Sequence, residues 1–265
     1  MDTEEEWDWS GQFPRGDFQL SNVKIIPEFH EFCDSLGIRT TYFVDYAVAA
    51  DEQCADVLRG LIESGNCEVG AHLHPWANPP YFGQTHERES HVVNLPVPQI
   101  KDKLDTLLHA LKENLALEPR AFRTGRWGVN GDILALLRDR GLSIDSSMYP
   151  GYKNEFFDCV GTPLAPYYPD FELPTRPGAQ RDIFEIPVTV GFNWRNQTAG
   201  RFVYNNVTNP ALAPLRLVGA LWQSRVLRKL YLSPEVISGK EMFHLVAMVI
   251  ANRIPTLHML MHSSS

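Results

Sequence analysis

The sequence predicts an α/β fold built on a parallel sheet, and three observations lead there. Strand-like and helix-like segments alternate through most of the chain, and repeated strand–helix units pair their strands in parallel under a cover of helices. The 265 residues, 44% hydrophobic and 21% charged, suffice to bury the core of one large domain spanning 1–265. The residues with the richest chemistry fall at the ends of predicted strands, where parallel α/β folds carry their active groups.

A first helix is expected from Ile26-Pro27, because proline suits a first helical turn, with Phe29, Phe32, Cys33 and Leu36 on one face. Thr40 to Asp45 reads as a strand. Asp51 is placed to cap the following helix, which repeats Cys54, Val57, Leu58, Leu61 and Ile62 and stops at Gly65. Glu68 to Trp76 contains the next strand. Side chains two apart on a strand point the same way, so His72 and His74 project together. A loop from Pro75 to Pro98 leads to a helix with Ile100, Leu104, Leu107, Leu108, Leu111 and Leu115 in register. Further strands are expected at 120–124, 142–146, 183–189 and 256–261, and helices at 131–140, 211–231 and 239–252.

Several classes of function are disfavoured. A net charge of -8 argues against nucleic acid as the main partner, since phosphate binding calls for a basic face. No apolar run approaches the roughly 18 residues of a membrane span. The acidic start, Met1 to Glu6, is unlike the basic region of a secretory signal, so a cytoplasmic location is expected. Cys33, Cys54, Cys67 and Cys159 form no closely spaced pair and read as buried thiols.

Two imidazoles side by side on a strand suit a divalent transition metal. Asp2 and Glu4 at the start, Arg123 at the end of one strand and His262 at the end of the last join them in one expected pocket. An acidic run such as Asp2 to Glu6 is ordinarily a solvated tail, but Trp7, Asp8 and Trp9 follow it with unusual apolar density.

Four segments, DTEEEWDW from Asp2, AHLHPW from Ala71, FRTGRWG from Phe122 and LHMLMHS from Leu257, occur in that order along the chain. Together they resemble the polysaccharide deacetylase superfamily, the NodB-homology or carbohydrate esterase 4 group, and most closely its lipopolysaccharide-biosynthesis branch. The resemblance implies a distorted (β/α) barrel and metal-dependent removal of an N-acetyl group from a sugar of a polysaccharide or lipopolysaccharide precursor. It assigns Asp2 as the catalytic base, Glu4 as a carboxylate ligand with Glu5 as the alternative, and His72 and His74 as imidazole ligands to Zn²⁺ or another divalent transition metal. The family's two histidines stand four apart, and here Trp76 occupies the later position, so His74 substitutes for it. Arg123 is expected to orient Asp2, and His262 to protonate the departing amine.

Other residues have plainer readings. His86 and His91 are expected in an exposed loop and His109 on a helix surface. His258 suits either the pocket or the core, and Asp145 and Trp127 either substrate contact or scaffold. The segment 215–232, basic and apolar by turns, is expected as a helix packed on the domain, with peripheral membrane contact at an inner membrane face as the alternative. Only Met1 precedes Asp2 and three residues follow His262, so the barrel is expected to lack its first strand and C-terminal helix and to expose a sheet edge. Two other functions fit the same residues: a non-haem iron enzyme with two histidines and one carboxylate, and an inactive glycan-binding remnant of the deacetylase fold.

Overall fold

The computed structural model describes Met1–Asp8 and Gly11–Ser264, apart from the side chains of Pro210 and Ala213; Trp9 and Ser265 lie outside the described residues. The chain, expected from its sequence as one domain, divides into two compact units. The first runs from Met1 to Pro187 and takes back the segment that begins at Met261; the second is Val188–Leu260.

The first unit has the expected parallel α/β architecture. Its elements are β1 (Asp2–Thr3), α1 (Ile26–Ser35), β2 (Thr40–Val44), α2 (Tyr46–Ala50), α3 (Glu52–Ser64), β3 (Cys67–Leu73), α4 (Val97–Leu115), β4 (Ala121–Thr124), α5 (Gly131–Arg138), β5 (Ile144–Asp145) and β6 (Phe184–Glu185). The six strands lie in sequence order, and every neighbouring pair is parallel. Local chemistry sets the helix ends. Asp51 accepts the Cys54 amide at 2.9 Å at the start of α3, and Gly65 closes that helix in the left-handed region. Ile100, Leu104, Leu107, Leu111 and Leu115 of α4 pack with Val44, Val69, Ala71, Leu73 and Phe122 in the main core.

Four expectations about the elements change. The buried face of α1 is Ile26, His30 and Cys33, whereas Phe32 and Leu36 are exposed. His30 can turn inward because its ring nitrogens lie 3.2 Å from the Tyr42 and Ser64 hydroxyls. The segment 211–231 is no continuous helix: a 3-10 turn (Pro210–Leu215) contains Pro214, Arg216 and Arg225 adopt positive φ, and residues Lys229–Tyr231 are extended. Residues 256–261 form no strand. The edge expected to be exposed beside Asp2 is paired on both sides. Phe43 and Asp45 donate their amides to Met1 and Thr3, Asp2 donates to the Met261 carbonyl at 2.8 Å, and Ser263 donates to the Asp2 carbonyl at 2.8 Å.

The second unit contains β7 (Val190–Phe192), α6 (Gln197–Val207), α7 (Leu217–Gln223), β8 (Lys229–Tyr231) and α8 (Gly239–Ala251). β7 and β8 pair antiparallel, and Leu230, Leu232, Ile237, Leu245 and Met248 form their own apolar cluster. Among the described residues no helix is long and apolar enough to cross a membrane.

The sheet also carries a buried acid pair. Asp145 and Glu185 are register partners on β5 and β6 and are fully buried. Asp145 is also the register partner of Phe122, a core residue, so it shares Phe122's side of the sheet, opposite Arg123. It is scaffold. Ser147 donates to one Asp145 oxygen at 2.6 Å, and the Met148 amide to one Glu185 oxygen at 3.2 Å. Burial, then the neighbouring Asp145 charge, push the Glu185 pKa well above its ordinary 4.5. The native state therefore keeps a proton that the unfolded chain releases above about 4.5, and stability falls as the pH rises from there toward the raised native value. Glu185→Gln supplies a permanent donor in place of that proton. Urea midpoints between pH 5 and 8 should fall more steeply for the wild type than for the variant; equal slopes would show that no proton is held there.

Candidate active site

The first unit gathers six of the residues singled out in the sequence. Asp2, Glu4, His72, His74 and Arg123 are almost wholly buried, and the His262 side chain is 26% exposed. His72 and Arg123 are register partners on β3 and β4, while Asp2 pairs with Phe43 on β2.

Asp2 is held by a charge pair. Arg123 Nη1 donates to Asp2 Oδ1, its Nε donates to the Ser146 carbonyl at 3.0 Å and its Nη2 to the Ser146 hydroxyl at 3.0 Å. The guanidinium also lies 4.3 Å over the Phe43 ring. That ring needs Gly70, since a Cβ there would come within 2.7 Å of it. Burial would raise the Asp2 pKa, but Arg123, with His72 and His262, outweighs it and holds the carboxyl below its ordinary value. The second oxygen, Oδ2, lies 3.9 Å from the Nε2 atoms of both His72 and His262.

Glu4 is the convergence point. Its Oε2 lies 3.2 Å from His72 Nε2 and 3.2 Å from His74 Nε2. Two polar side chains that the sequence did not single out pin its backbone. Ser263 Oγ accepts the Glu4 amide at 3.2 Å, and Asn22 Nδ2 donates to the Glu4 carbonyl and to Ser263 Oγ, each at 2.8 Å. Asn22 and Ser263 carry no local signal, because their role exists only once distant segments meet.

His74 has a different neighbour at each ring nitrogen. Its Nδ1 lies 3.3 and 3.2 Å from the two Glu5 oxygens, and Trp76 Nε1 donates to Glu5 Oε1 at 2.5 Å. The Trp76 ring stacks on the imidazole at 4.3 Å. Gly125 leaves room for the ring, since a Cβ there would lie 1.9 Å from His74 Cδ2. Burial lowers the His74 pKa, yet Glu5 and Glu4 together raise it well above the usual imidazole range. Burial and the Glu5 charge push Asp45, beside them, well above the ordinary carboxylate range.

These features fit a divalent cation. Glu4, His72 and His74 offer one ligand atom each within 4.8 Å of one another, a carboxylate-and-imidazole set suited to zinc. His74 Nε2 is buried without a hydrogen-bond partner, although it faces a carboxylate oxygen, and buried polar atoms are rarely left so. The two carboxylates around His74 draw positive charge to that spot.

The other histidines lie apart from this cluster. His86 and His109 are exposed, as expected. His91 is buried, contrary to expectation: its ring stacks on Phe156 at 4.8 Å and its Nδ1 lies 2.9 Å from the Arg126 carbonyl, so packing claims it. His258 belongs to the second unit, where its amide donates to Thr189 Oγ1. Trp127 lies beside Arg123, with the guanidinium carbon 5.7 Å from its ring centroid. All four cysteines are buried free thiols.

No protein-family model matches the chain. A curated Schizosaccharomyces pombe protein, provisionally named a polysaccharide deacetylase, is 29% identical over 155 residues, which are 57% of this chain and 42% of that protein. Among solved structures, a provisionally assigned glycoside hydrolase/deacetylase from Parabacteroides distasonis matches with a TM-score of 0.51 at 12% identity, over 71% of this chain and 43% of that one. A provisionally assigned polysaccharide deacetylase from Mycobacterium smegmatis matches with a TM-score of 0.43 at 20% identity, over 64% of this chain and 46% of that one. The chain thus spans less than half the length of each of these relatives. The Parabacteroides match is a likeness of fold, and it agrees with the parallel α/β sheet described here.

Proposed function

We propose that this chain is a metal-dependent carbohydrate N-deacetylase, a hydrolase that removes the acetyl group from an N-acetylated sugar. The observation that carries the reading is the pairing of two devices in one place. A carboxylate clamped by arginine, Asp2 with Arg123, stands beside a carboxylate-and-two-histidine donor set, Glu4, His72 and His74. The sequence likeness to a deacetylase and the shared fold support the same reading.

Glu4, His72 and His74 would hold the ion, with zinc the proposed identity. A divalent cation bound there supplies Lewis-acid polarisation of the acetamide carbonyl and lowers the pKa of water toward ~7. Asp2 acts as the base. Its Oδ1 is committed to Arg123, which leaves Oδ2 to take a proton from the attacking water. His262, 3.9 Å from Oδ2 and partly exposed, would deliver a proton to the departing nitrogen. Water adds to the carbonyl carbon, the C–N bond breaks, and acetate and a free amino sugar leave.

A two-histidine, one-carboxylate set also serves non-haem iron oxygenases. Those reactions have no evident use for the Asp2–Arg123 pair, which favours hydrolysis here. The test is acetate release from a panel of N-acetylated substrates, from chito-oligosaccharides to lipid-linked and lipopolysaccharide-type precursors. Release should stop with a chelator and return with added zinc. Absence of release across the panel from zinc-loaded protein, or oxygen consumption with iron instead, would refute the deacetylase reading.

A further inference from the structure

Glu5 has two candidate roles. With Asp45 and His74 it forms a second group of three ligand atoms within 4.8 Å, and the sequence left it open as an alternative to Glu4. We propose that Glu5 is a positioning residue and not a ligand: with the ion bound it holds His74 in the tautomer that bares Nε2, and Trp76 holds Glu5 in place. This rests on the reading of Glu4, His72 and His74 as the metal ligands.

The hydrogen-bond chemistry is directional. An ionised carboxylate only accepts, so the His74 nitrogen 3.2–3.3 Å from both Glu5 oxygens, Nδ1, must be protonated. Glu4 likewise faces Nε2 at 3.2 Å, so without a cation the ring holds a proton on each nitrogen; a cation bound through Nε2 would displace the proton there and leave Nδ1–H on Glu5. Nε2 is the buried atom of this ring with no hydrogen-bond partner.

Trp76 acts twice on this arrangement. Its indole N–H donates to Glu5 Oε1 at 2.5 Å, and its ring stacks on His74 at an interplanar angle of 24°. Carboxylate and imidazole plane are thus fixed by one side chain, while Gly125 admits the ring at close quarters. Asp45 has another duty, since its Oδ1 accepts the Val48 amide at 2.9 Å as the cap of α2. The tryptophan standing where the family resemblance expects a second histidine therefore supports the ligand His74 from behind.

The experiment needs no sugar. Wild-type protein titrated with zinc should hold one ion per chain by elemental analysis. In the zinc form, long-range proton–nitrogen correlation spectra of the histidine rings should show His74 protonated at Nδ1 and without a proton at Nε2. Glu5→Gln and Trp76→Phe should each weaken zinc binding by about 10–100-fold in competition with a chromogenic chelator, the usual cost of losing an outer partner of a ligating histidine. Trp76→Phe keeps an aromatic ring over His74, and the tautomer measurement on wild type depends on no variant. Two zinc ions per chain, a proton on His74 Nε2 in the zinc form, or unchanged affinity in both folded variants would each overturn the proposal. A wild type that binds no zinc would instead sink the underlying metal reading. Failure of acetate release would leave all these readouts intact.

Discussion

Replacing Asp2 by asparagine should lower turnover by about 10²–10⁴-fold, the range a general base contributes, while bound zinc stays stoichiometric. The amide keeps the shape and an acceptor for Arg123 but has no basic oxygen. Arg123→Met should act on the same group from the other side. Removing the guanidinium leaves the Asp2 carboxylate buried without its partner, which costs about 3–5 kcal/mol for a broken buried ion pair. The sign of the pH effect follows from the shift. Asp2 sits below its ordinary 3.8 because Arg123 and the two histidines overcome burial, so its pairing contributes stability above that value and loses it as the pH falls. Without Arg123, burial dominates and the carboxyl ionises only at higher pH. The acid limb of the pH–rate profile should therefore move to higher pH in Arg123→Met, and the urea midpoint should drop. Full activity with an unmoved acid limb would dissociate Arg123 from Asp2 function.

The second large effect concerns the two strand histidines. His72→Ala and His74→Ala should each weaken zinc binding by more than the ~10–100-fold that loss of an outer partner causes, because a direct donor disappears. Each substitution also leaves Glu4 buried with fewer polar partners, since the charge on His74 and hydrogen bonds from His72 and His74 are what hold its carboxyl below the ordinary range against burial. A ligand that binds only the native state stabilises it by about 2.7 kcal/mol at 100 times its dissociation constant. Zinc should accordingly raise the melting temperature of wild type and barely move that of either variant. Stoichiometric zinc in both variants would place the site elsewhere. His86 and His91 are poor substitutes, one exposed on its loop and the other stacked against Phe156.

Much of this was legible in the chain because it is encoded locally. Alternation along β3 puts His72 and His74 on one face, the apolar spacing of α4 marks its buried stripe, and Asp51 and Gly65 bound α3 by capping chemistry that neighbouring residues complete. Repeated strand–helix units are enough to imply a parallel sheet, and such a sheet brings Arg123 level with His72. Local pattern failed where a segment's fate rests on distant partners. Residues 211–231 have helical spacing, but Lys229–Tyr231 find a ladder with Val190–Phe192 and leave it.

The acidic start shows the division most clearly. By composition Asp2 to Glu6 is a solvated tail, and only long-range pairing with β2 and with Met261–Ser263 takes Asp2, Glu4 and Glu5 out of water. Once there, the adjacent Glu4 and Glu5 reach opposite nitrogens of one imidazole, an assignment that strand parity does not supply beyond the end of β1 at Thr3. The sequence by itself determined the fold class and which residue types carry the chemistry, since periodicity reports which face a side chain takes. Tertiary structure alone decided which carboxylate meets which nitrogen, because burial and hydrogen-bond partners come from residues as far apart in the chain as Glu4 and Ser263.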